Sequence, residues 1–166
     1  MNTQKRKLLL ICSAGGHFLE LYLLKELWEK YDRVWVTLPG KDTEYLLAKE
    51  SKVFGHSPTV RNLKNLISNF FFAVAIIRKE KPDVIISTGA AIGVPFIFLG
   101  KMLKIKTIYI ELLTRVRSLS ISGKMIYPFS NYFLVQWPEL AEKYKKAVYV
   151  GRIYDLCDGR IRKILL

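Results

Sequence analysis

The chain has 166 residues, a length that suits one domain with a hydrophobic core of its own. Hydrophobic residues make up 51% of it and charged residues 25%, which excludes a disordered chain. The formal net charge of +13 favours an anionic partner, such as a membrane surface, a phosphorylated ligand or a nucleic acid. Two cysteines, Cys12 and Cys157, and two histidines argue against a disulfide framework and a structural zinc site.

The apolar segments of the sequence are short. Residues 8–12 are too few for the apolar part of a secretory signal. No unbroken apolar run reaches about 18 residues, so we expect no transmembrane helix.

The spacing of apolar residues and of helix breakers predicts strands and helices that alternate along the chain. Strands are predicted at residues 7–13, 34–38, 53–54, 84–87, 107–110, 132–136 and 148–150. Helices are predicted at residues 18–31, 43–51, 62–80 and 94–103, with another that opens at 138–140. Alternation of this kind predicts an α/β fold, with a parallel sheet and helices on both faces.

A glycine turn, residues 13–20, joins the first strand to the first helix. Gly15 and Gly16 allow the backbone to approach a ligand, and the start of a helix presents N–H groups to an anion. His17 follows, where an imidazole can take up a proton near neutral pH. The alternative is a strand-to-helix turn with no ligand. The nicotinamide-binding pattern G-x-G-x-x-G is absent.

A second turn of small residues, 88–91, follows another predicted strand. Because ligands bind at the carboxyl ends of parallel strands, both turns are expected at one ligand-binding edge. Gly89 is expected to help form the site. Thr88 either binds the ligand or caps the next helix.

Two helices carry apolar stripes. In the first helix the predicted stripe consists of Leu19, Leu23, Leu24 and Leu27. In the helix at 62–80 it consists of Leu63, Leu66, Ile67, Phe70, Phe71, Val74 and Ile77. Phe70–Phe72 supply more aromatic surface than one stripe needs, which fits either burial, the favoured interpretation, or a membrane interface.

Two further polar segments follow strands. The first is a cationic loop between a strand and a helix, with Arg115, Arg117, Ser118, Ser120 and Lys124. This loop either binds an anion or is only solvated. The second segment contains Gln136, Trp137 and Glu139. These residues either line a cleft that faces a partner, or Trp137 is simply part of the core. A basic and apolar tail, residues 152–166, is either a membrane or partner contact or a plain surface helix.

Four segments of the sequence form a characteristic set, residues 13–17, 81–91, 110–124 and 133–140. Together they resemble the Alg14 family, which includes bacterial capsule and exopolysaccharide proteins of the PssD, CpsF and EpsE type. The glycine turn and the Pro-Asp strand are also similar to those of MurG, which forms lipid II. The resemblance covers nearly the whole chain.

That resemblance implies a Rossmann-like domain at residues 1–151, equivalent to the N-terminal half of a GT-B glycosyltransferase. It implies binding of a polyprenyl-pyrophosphate-linked glycan at the cytoplasmic face of the plasma membrane, with peripheral attachment to anionic lipid. An Alg13-like partner would bind the UDP-sugar, and the chain alone would be inactive. No cofactor or metal is implied.

The resemblance also implies roles for single residues. His17 is expected to be the catalytic base or an acceptor-phosphate ligand, against the alternative that it only caps the first helix. Glu111 is expected to act in catalysis by binding the acceptor, or else to pair with Arg115. The expected acceptor-phosphate ligands are Gly15, Gly16, Thr88, Gly89, Arg115, Arg117 and Lys124. The expected partner-facing residues are Gln136, Trp137 and Glu139.

Three other functions are weighed against this one. A membrane adaptor that recruits a catalytic partner stays open, and substitution of His17 would distinguish it. A nucleic-acid binder is suggested by charge alone, because no base-stacking platform or helix-turn-helix signature is present. A nicotinamide oxidoreductase lacks its glycine pattern and its acidic residue after the second strand, where Leu38-Pro39-Gly40 stands.

Overall fold

The computed structural model describes residues 6–57 and 63–155, with residues 63–66 and 155 described by their backbone alone. Seven strands lie in this part of the chain: β1 (Lys7–Cys12), β2 (Asp32–Thr37), β3 (Lys52–Phe54), β4 (Val84–Gly89), β5 (Lys106–Ile110), β6 (Tyr132–Val135) and β7 (Ala147–Tyr149). The helices are α1 (Gly16–Leu23), α2 (Lys25–Trp28), α3 (Lys41–Leu46), α4 (Leu63–Glu80), α5 (Gly93–Met102), α6 (Ile121–Ile126) and α7 (Pro138–Lys143), with a short 3₁₀ helix at Ile153–Asp155.

All seven strands form one parallel sheet in the order β3-β2-β1-β4-β5-β6-β7. The predicted α/β class, with a parallel sheet and helices on both faces, is confirmed. The strand order reverses between β1 and β4: β2 and β3 extend the sheet on one side of β1, and β5, β6 and β7 extend it on the other side of β4. Crevices at such reversal points, outside the carboxyl ends of the strands, are where open α/β sheets bind ligands.

Two hydrophobic cores cover the two faces of the sheet. On one face α4, α5, α6 and α7 pack with Leu9, Ile85 and Tyr109. On the other face α1, α2 and the 3₁₀ helix pack with Leu10 and Trp35. Because both faces are covered, the central strands are continuous apolar runs rather than alternating ones.

The first helix differs from its predicted form. The prediction was one helix at 18–31, whereas α1 ends at Leu23 and α2 begins at Lys25. Phe18, Leu21 and Trp28 point into the core. Of the predicted buried stripe, Leu24 is buried and Leu27 packs against the core, whereas Leu19 and Leu23 are each 44% exposed. The helix is therefore rotated from the predicted orientation, because aromatic Phe18 and Trp28 occupy the sheet face.

Helix α4 is also rotated from its predicted orientation. Asn69, Ala73, Ile76 and Ile77 are buried against the sheet. The predicted stripe residues Ile67 and Phe71 are 53% and 67% exposed, so the prediction is wrong for both. Phe72 packs against the core and Phe70 is half-buried. Leu63 and Leu66, also predicted on that stripe, have no described side chains.

The packed part of the chain runs past the predicted end of the domain at residue 151. Ile153 is buried, and its N–H donates to the Gln136 side chain at 2.8 Å. The rest of the predicted tail, residues 156–166 with Cys157, lies outside the described residues. Of the helices in the described ranges, none has the length and apolar character needed to cross a bilayer.

Candidate functional site

The two glycine turns meet at the carboxyl edge of the sheet, where the strand order reverses. β1 and β4 are neighbours, and the N–H of Ser13 donates to the carbonyl of Gly89 at 3.1 Å. The prediction that both turns lie at one edge of the sheet is confirmed, and binding of a ligand there stays a prediction. This contact fixes residues 13–17 against residues 88–89.

His17 lies at the centre of this junction. Its Nδ1 is 2.6 Å from the carbonyl oxygen of Thr88, and the Thr88 hydroxyl donates to the His17 carbonyl at 2.7 Å. Since a carbonyl only accepts, Nδ1 carries the proton and the Nε2 lone pair is left for chemistry. Neither side chain caps a helix, and α1 has no side-chain cap.

The electrostatics of the site keep His17 neutral. Burial lowers the pKa of His17, and the nearby Arg115 guanidinium lowers it further, while the hydrogen bond to Thr88 acts in the opposite direction. A neutral imidazole with a free Nε2 can accept a proton at pH 7. Such a group is chemically able to act as a general base toward a hydroxyl placed beside it.

Gly89 permits this position of His17. Its φ is +101°, in the range that favours glycine, and an added Cβ would lie 2.9 Å from His17 Cε1. The same Cβ would lie 3.3 Å from the Tyr109 hydroxyl. A side chain at residue 89 would therefore push the imidazole out of place.

Gly15 has a different environment from the predicted one. Its φ is +80°, which a glycine accommodates, but its N–H donates to the Asp42 carboxylate at 2.7 Å. An anion at this N–H would compete with Asp42. Gly16 is exposed and begins α1, and its position has open space around it. Gly16 is thus the glycine of this turn that can approach a phosphate without displacing a carboxylate.

The basic loop, residues 112–120, follows β5 at the same edge. Arg115 is exposed, and its charge lowers the pKa of His17 and of the buried Glu111, which places the guanidinium near both. Arg117 is also exposed, and its carbonyl accepts from Lys143 at 3.2 Å. The structure thus brings Arg115 to the histidine.

Lys124 does not lie in a loop as predicted. It is an exposed residue of α6, whose first turn Ser120 caps by accepting from the N–H of Gly123. The sequence signal for this helix was the serine followed by Ile121–Ile126, which is short and carries an internal glycine.

Glu111 is fully buried, and its oxygens are occupied. One oxygen accepts from the N–H and hydroxyl of Ser120 at 3.0 and 3.1 Å, and the other accepts from the N–H of Leu112 at 3.2 Å. Burial raises the pKa of Glu111, against these hydrogen bonds. The ion pair with Arg115 that was one of its expected roles is not formed. Glu111 therefore accepts hydrogen bonds from both ends of the basic loop, Leu112 and Ser120.

Glu20 is a second buried carboxylate, which the sequence analysis did not identify. It accepts from the N–H of Leu113 at 3.1 Å and from Gln136 Nε2 at 2.6 Å. Burial raises its pKa, which these hydrogen bonds oppose. Glu20 thereby ties α1 to the basic loop. An acidic residue between Leu19 and Leu21 in an apolar helix was the available signal.

Gln136 is buried rather than facing a partner, so the expected cleft position is wrong. Its Nε2 also donates to the carbonyl of Glu111 at 2.9 Å, and its Oε1 binds Ile153. Trp137 is half-buried and donates through Nε1 to the carbonyl of Leu113 at 2.6 Å. Glu139 is exposed in the first turn of α7.

The chain matches the family model described as "Oligosaccharide biosynthesis protein Alg14 like" over residues 40–153. The chain belongs to the Alg14 family. A relative from Schizosaccharomyces pombe, named UDP-N-acetylglucosamine transferase subunit alg14, is 33% identical over 89% of this chain and 83% of its own length. The match to a relative from Rattus norvegicus, named UDP-N-acetylglucosamine transferase subunit ALG14, is 38% identical and spans 51% of this chain and 42% of the relative's length.

Two solved structures share the fold. MurG from Acinetobacter baumannii superposes with a TM-score of 0.67 at 13% identity, covering 81% of this chain and 42% of that chain. UDP-N-acetylglucosamine 2-epimerase from Rickettsia bellii superposes with a TM-score of 0.70 at 16% identity, covering 97% of this chain and 49% of that chain. The chain thus spans about half of these solved chains. The fold is Rossmann-like and is shared by transferases and epimerases, so it does not by itself assign a reaction.

Proposed function

We propose that this protein is the acceptor-binding subunit of a two-component glycosyltransferase. Its Alg14 relatives are named as subunits of a UDP-N-acetylglucosamine transferase, and this chain has the fold of one half of MurG. The substrate is a glycan on a polyprenyl pyrophosphate, and an Alg13-like partner brings the UDP-sugar. UDP-N-acetylglucosamine is the first donor to test.

The observation that carries the proposal is the neutral His17 with its Nδ1–H held by Thr88. Nε2 takes the proton from the attacking hydroxyl of the acceptor sugar. That oxygen forms a bond to the anomeric carbon of the donor sugar. The bond from this carbon to UDP breaks, and UDP leaves on the partner subunit. An adaptor without chemistry would not require this tautomer.

The acceptor pyrophosphate is bound beside His17 by backbone and cationic groups. Gly16 at the start of α1 supplies an N–H, and Arg115 and Arg117 supply guanidinium groups that match phosphate oxygens. Lys124 on α6 supplies a further exposed cation. Glu111 acts as a positioning residue, because its buried oxygens hold the loop that carries both arginines.

A membrane-facing surface lies on the layer of α4, α5 and α6. Its exposed apolar side chains are Ile67, Phe71, Val116, Ile121 and Met125. Helices that follow parallel strands begin at the carboxyl edge of the sheet, so Ile67 and Ile121 lie toward the site. Arg115, Arg117 and Lys124 are interspersed with them, and such a mixture favours the anionic cytoplasmic leaflet.

Reconstitution tests the transferase proposal. This chain, its Alg13-like partner and their mixture are each incubated with radiolabelled UDP-N-acetylglucosamine and membranes bearing lipid-linked acceptor. We expect transfer from the mixture alone. Transfer by the partner alone, only accelerated by this chain, would establish the adaptor function. Transfer by this chain alone would contradict the division into two subunits.

Vesicle sedimentation tests the membrane surface separately. Phe71→Ser on α4 should weaken binding to vesicles that contain phosphatidylglycerol by about tenfold, since it removes roughly one buried aromatic side chain from the interface. Leu23→Ser removes an exposed leucine from the opposite layer and serves as the matched control. Equal effects of the two substitutions would place the membrane contact elsewhere.

A further inference from the structure

Arg152 lies beside the basic loop, although the two are far apart in the sequence. Its guanidinium carbon is 4.7 Å from the centre of the Trp137 ring, which is the geometry of a cation–π contact. The same ring donates through Nε1 to the carbonyl of Leu113 in the basic loop, at 2.6 Å. One tryptophan therefore contacts both the loop and Arg152.

Three neighbouring strands bring these residues together. The basic loop follows β5, Trp137 comes just after β6, and Arg152 comes just after β7. Because these strands are parallel and adjacent, with about 4.8 Å between neighbours, their carboxyl ends share the edge at which His17 lies. Arg152 therefore belongs to the edge of the sheet that holds the candidate site.

The backbone on both sides of Arg152 is fixed. The N–H of Val150 donates to the carbonyl of Val135 at 3.2 Å, and the N–H of Ile153 donates to Gln136 Oε1 at 2.8 Å. The Ile153 side chain is buried in the same core as α1. The base of the Arg152 side chain is thus held in place, while the residue itself is exposed to solvent.

Arg152 keeps its hydrogen-bond donors for a ligand. Within the described part of the chain it forms no ion pair and donates no side-chain hydrogen bond, and its guanidinium rests on the Trp137 ring. Stacking occupies the face of the guanidinium and leaves the N–H groups at its rim, which match phosphate oxygens. The nearby exposed carboxylate of Glu139 does not pair with Arg152, and the buried Glu20 and Glu111 accept from other groups.

We propose that Arg152 is a further phosphate-binding residue of the candidate site, held on the Trp137 ring to receive a phosphate group of the substrate. This proposal rests on the function proposed above. Arg115 lies two residues after Leu113 in the basic loop, so cations from two separate segments lie at the same part of the edge. The phosphate belongs either to the lipid-linked acceptor or to the UDP-sugar that the partner brings.

The test compares three arginine variants. Arg152→Gln removes the charge, whereas Arg152→Lys keeps the charge but loses the planar group that stacks and forms paired hydrogen bonds. Arg78→Gln is the matched control, because Arg78 is exposed near the end of α4, at the opposite edge of the sheet. All three should unfold at temperatures close to that of the wild type, since an exposed cation–π contact adds little stability.

Each protein is titrated with inorganic pyrophosphate at two ionic strengths, and the Trp137 indole N–H is followed by NMR. We expect the Kd to rise about fivefold in Arg152→Gln, by less in Arg152→Lys and not at all in the control. The Kd of Arg152→Gln should also depend less on salt, which loss of a purely structural contact would not produce.

Three results of this titration would overturn the proposal. They are no pyrophosphate binding by the wild type, a Kd for Arg152→Gln equal to that of the control, and a salt dependence of Arg152→Gln equal to that of the wild type. A Kd for Arg152→Lys equal to the wild-type value would contradict the role of the stacked guanidinium.

The reconstituted transferase then identifies the source of the phosphate. If it belongs to the acceptor, Arg152→Gln should raise KM for the lipid-linked acceptor about fivefold and leave KM for UDP-N-acetylglucosamine and kcat little changed. The reverse pattern would assign it to the UDP-sugar, and unchanged KM values for both substrates would contradict the proposal. If the wild-type subunits together transfer no sugar, the function proposed above fails, while the pyrophosphate titration still decides the role of Arg152.

Discussion

The glycine turns and the basic loop lie at the same edge of the sheet but are held in different ways. The turns are fixed by contacts at His17 itself, since Thr88 and Gly89 define both the tautomer and the place of its ring. The basic loop is fixed from beneath by Glu20 and Glu111, while the side chains of its arginines stay in solvent.

This difference indicates a division of tasks. Preorganised groups lower a reaction barrier because they need no rearrangement in the transition state, which suits the turns. Exposed arginines bind phosphate oxygens through charge-assisted hydrogen bonds, which suits the loop that we propose binds the pyrophosphate. Substitutions in the turns should therefore act on turnover, and those in the loop on acceptor binding.

The largest effect is expected from His17. His17→Gln keeps a polar side chain but removes the base, so kcat of the reconstituted transferase should fall by about 10²–10⁴-fold. Co-purification of the partner subunit should be unchanged. His56→Gln replaces the other histidine and is the control. Wild-type transfer by His17→Gln would favour the adaptor function.

Gly89→Ala tests the geometry of the turns without removing a functional group. The new Cβ meets His17, and a displacement of about 1 Å can cost roughly 100-fold in rate. The positive φ should also lower the free energy of unfolding by about 1–2 kcal/mol. Gly151→Ala is the control, because Gly151 also has a positive φ, of +87°. A kcat equal to that of Gly151→Ala would show that the close approach is not needed.

Glu20→Ala tests the support of the basic loop. It leaves the Leu113 N–H and the Gln136 amide without their acceptor, which should cost about 1–3 kcal/mol of unfolding free energy. Because the loop loses its anchor, KM for the acceptor should rise more than kcat falls. Glu20→Gln retains an acceptor oxygen and should recover part of both effects. Equal losses from the two variants would point to charge rather than hydrogen bonding.

A smaller effect is expected from Arg115→Gln in the loop. Loss of one charge-assisted contact should raise KM for the lipid-linked acceptor by about tenfold, with kcat little changed. The difference in KM between this variant and the wild type should become smaller at high salt, because salt screens the wild-type contact. Lys145→Gln changes another exposed cation and is the control. A fall in kcat with constant KM would assign Arg115 to the transition state.

The smallest expected effect is on the pH dependence of stability. The pKa of His17 is lowered in the folded chain, so as pH falls below the ordinary value of 6.5 the unfolded chain takes up this proton first, and stability decreases. Glu20 and Glu111 have the opposite effect, because their pKa values are raised in the folded chain. They add to the stability of the folded chain as pH falls toward 4.5. His17→Gln should therefore reduce the loss of unfolding free energy near pH 6, as measured by denaturant titrations. An unchanged profile would contradict the burial of a neutral imidazole.

The sequence predicts the sheet and the turns because their signals are local. Apolar runs bounded by breakers locate each strand, and glycines next to His17 locate the junction. The faces of α1 and α4 were assigned wrongly, since both helices contain more apolar residues than their buried faces accommodate. Periodicity alone does not choose between Phe71 and Ala73.

The supports of the basic loop could not be predicted for a different reason. Glu20 reaches residues 93 and 116 positions away, so no local pattern marks it. Asp42 reaches Gly15 across 27 positions, and only the structure shows that it occupies this N–H. Buried polar contacts between distant segments depend on the completed fold.

The state of the His17 ring tests the central claim most directly. With His56→Gln as the background, one histidine remains, and ¹⁵N chemical shifts report which ring nitrogen carries the proton across a pH titration. We predict a neutral ring at pH 7 with the proton on Nδ1, and a pKa below 6.5. A charged ring at pH 7, or a proton on Nε2, would contradict the assignment of His17 as the base.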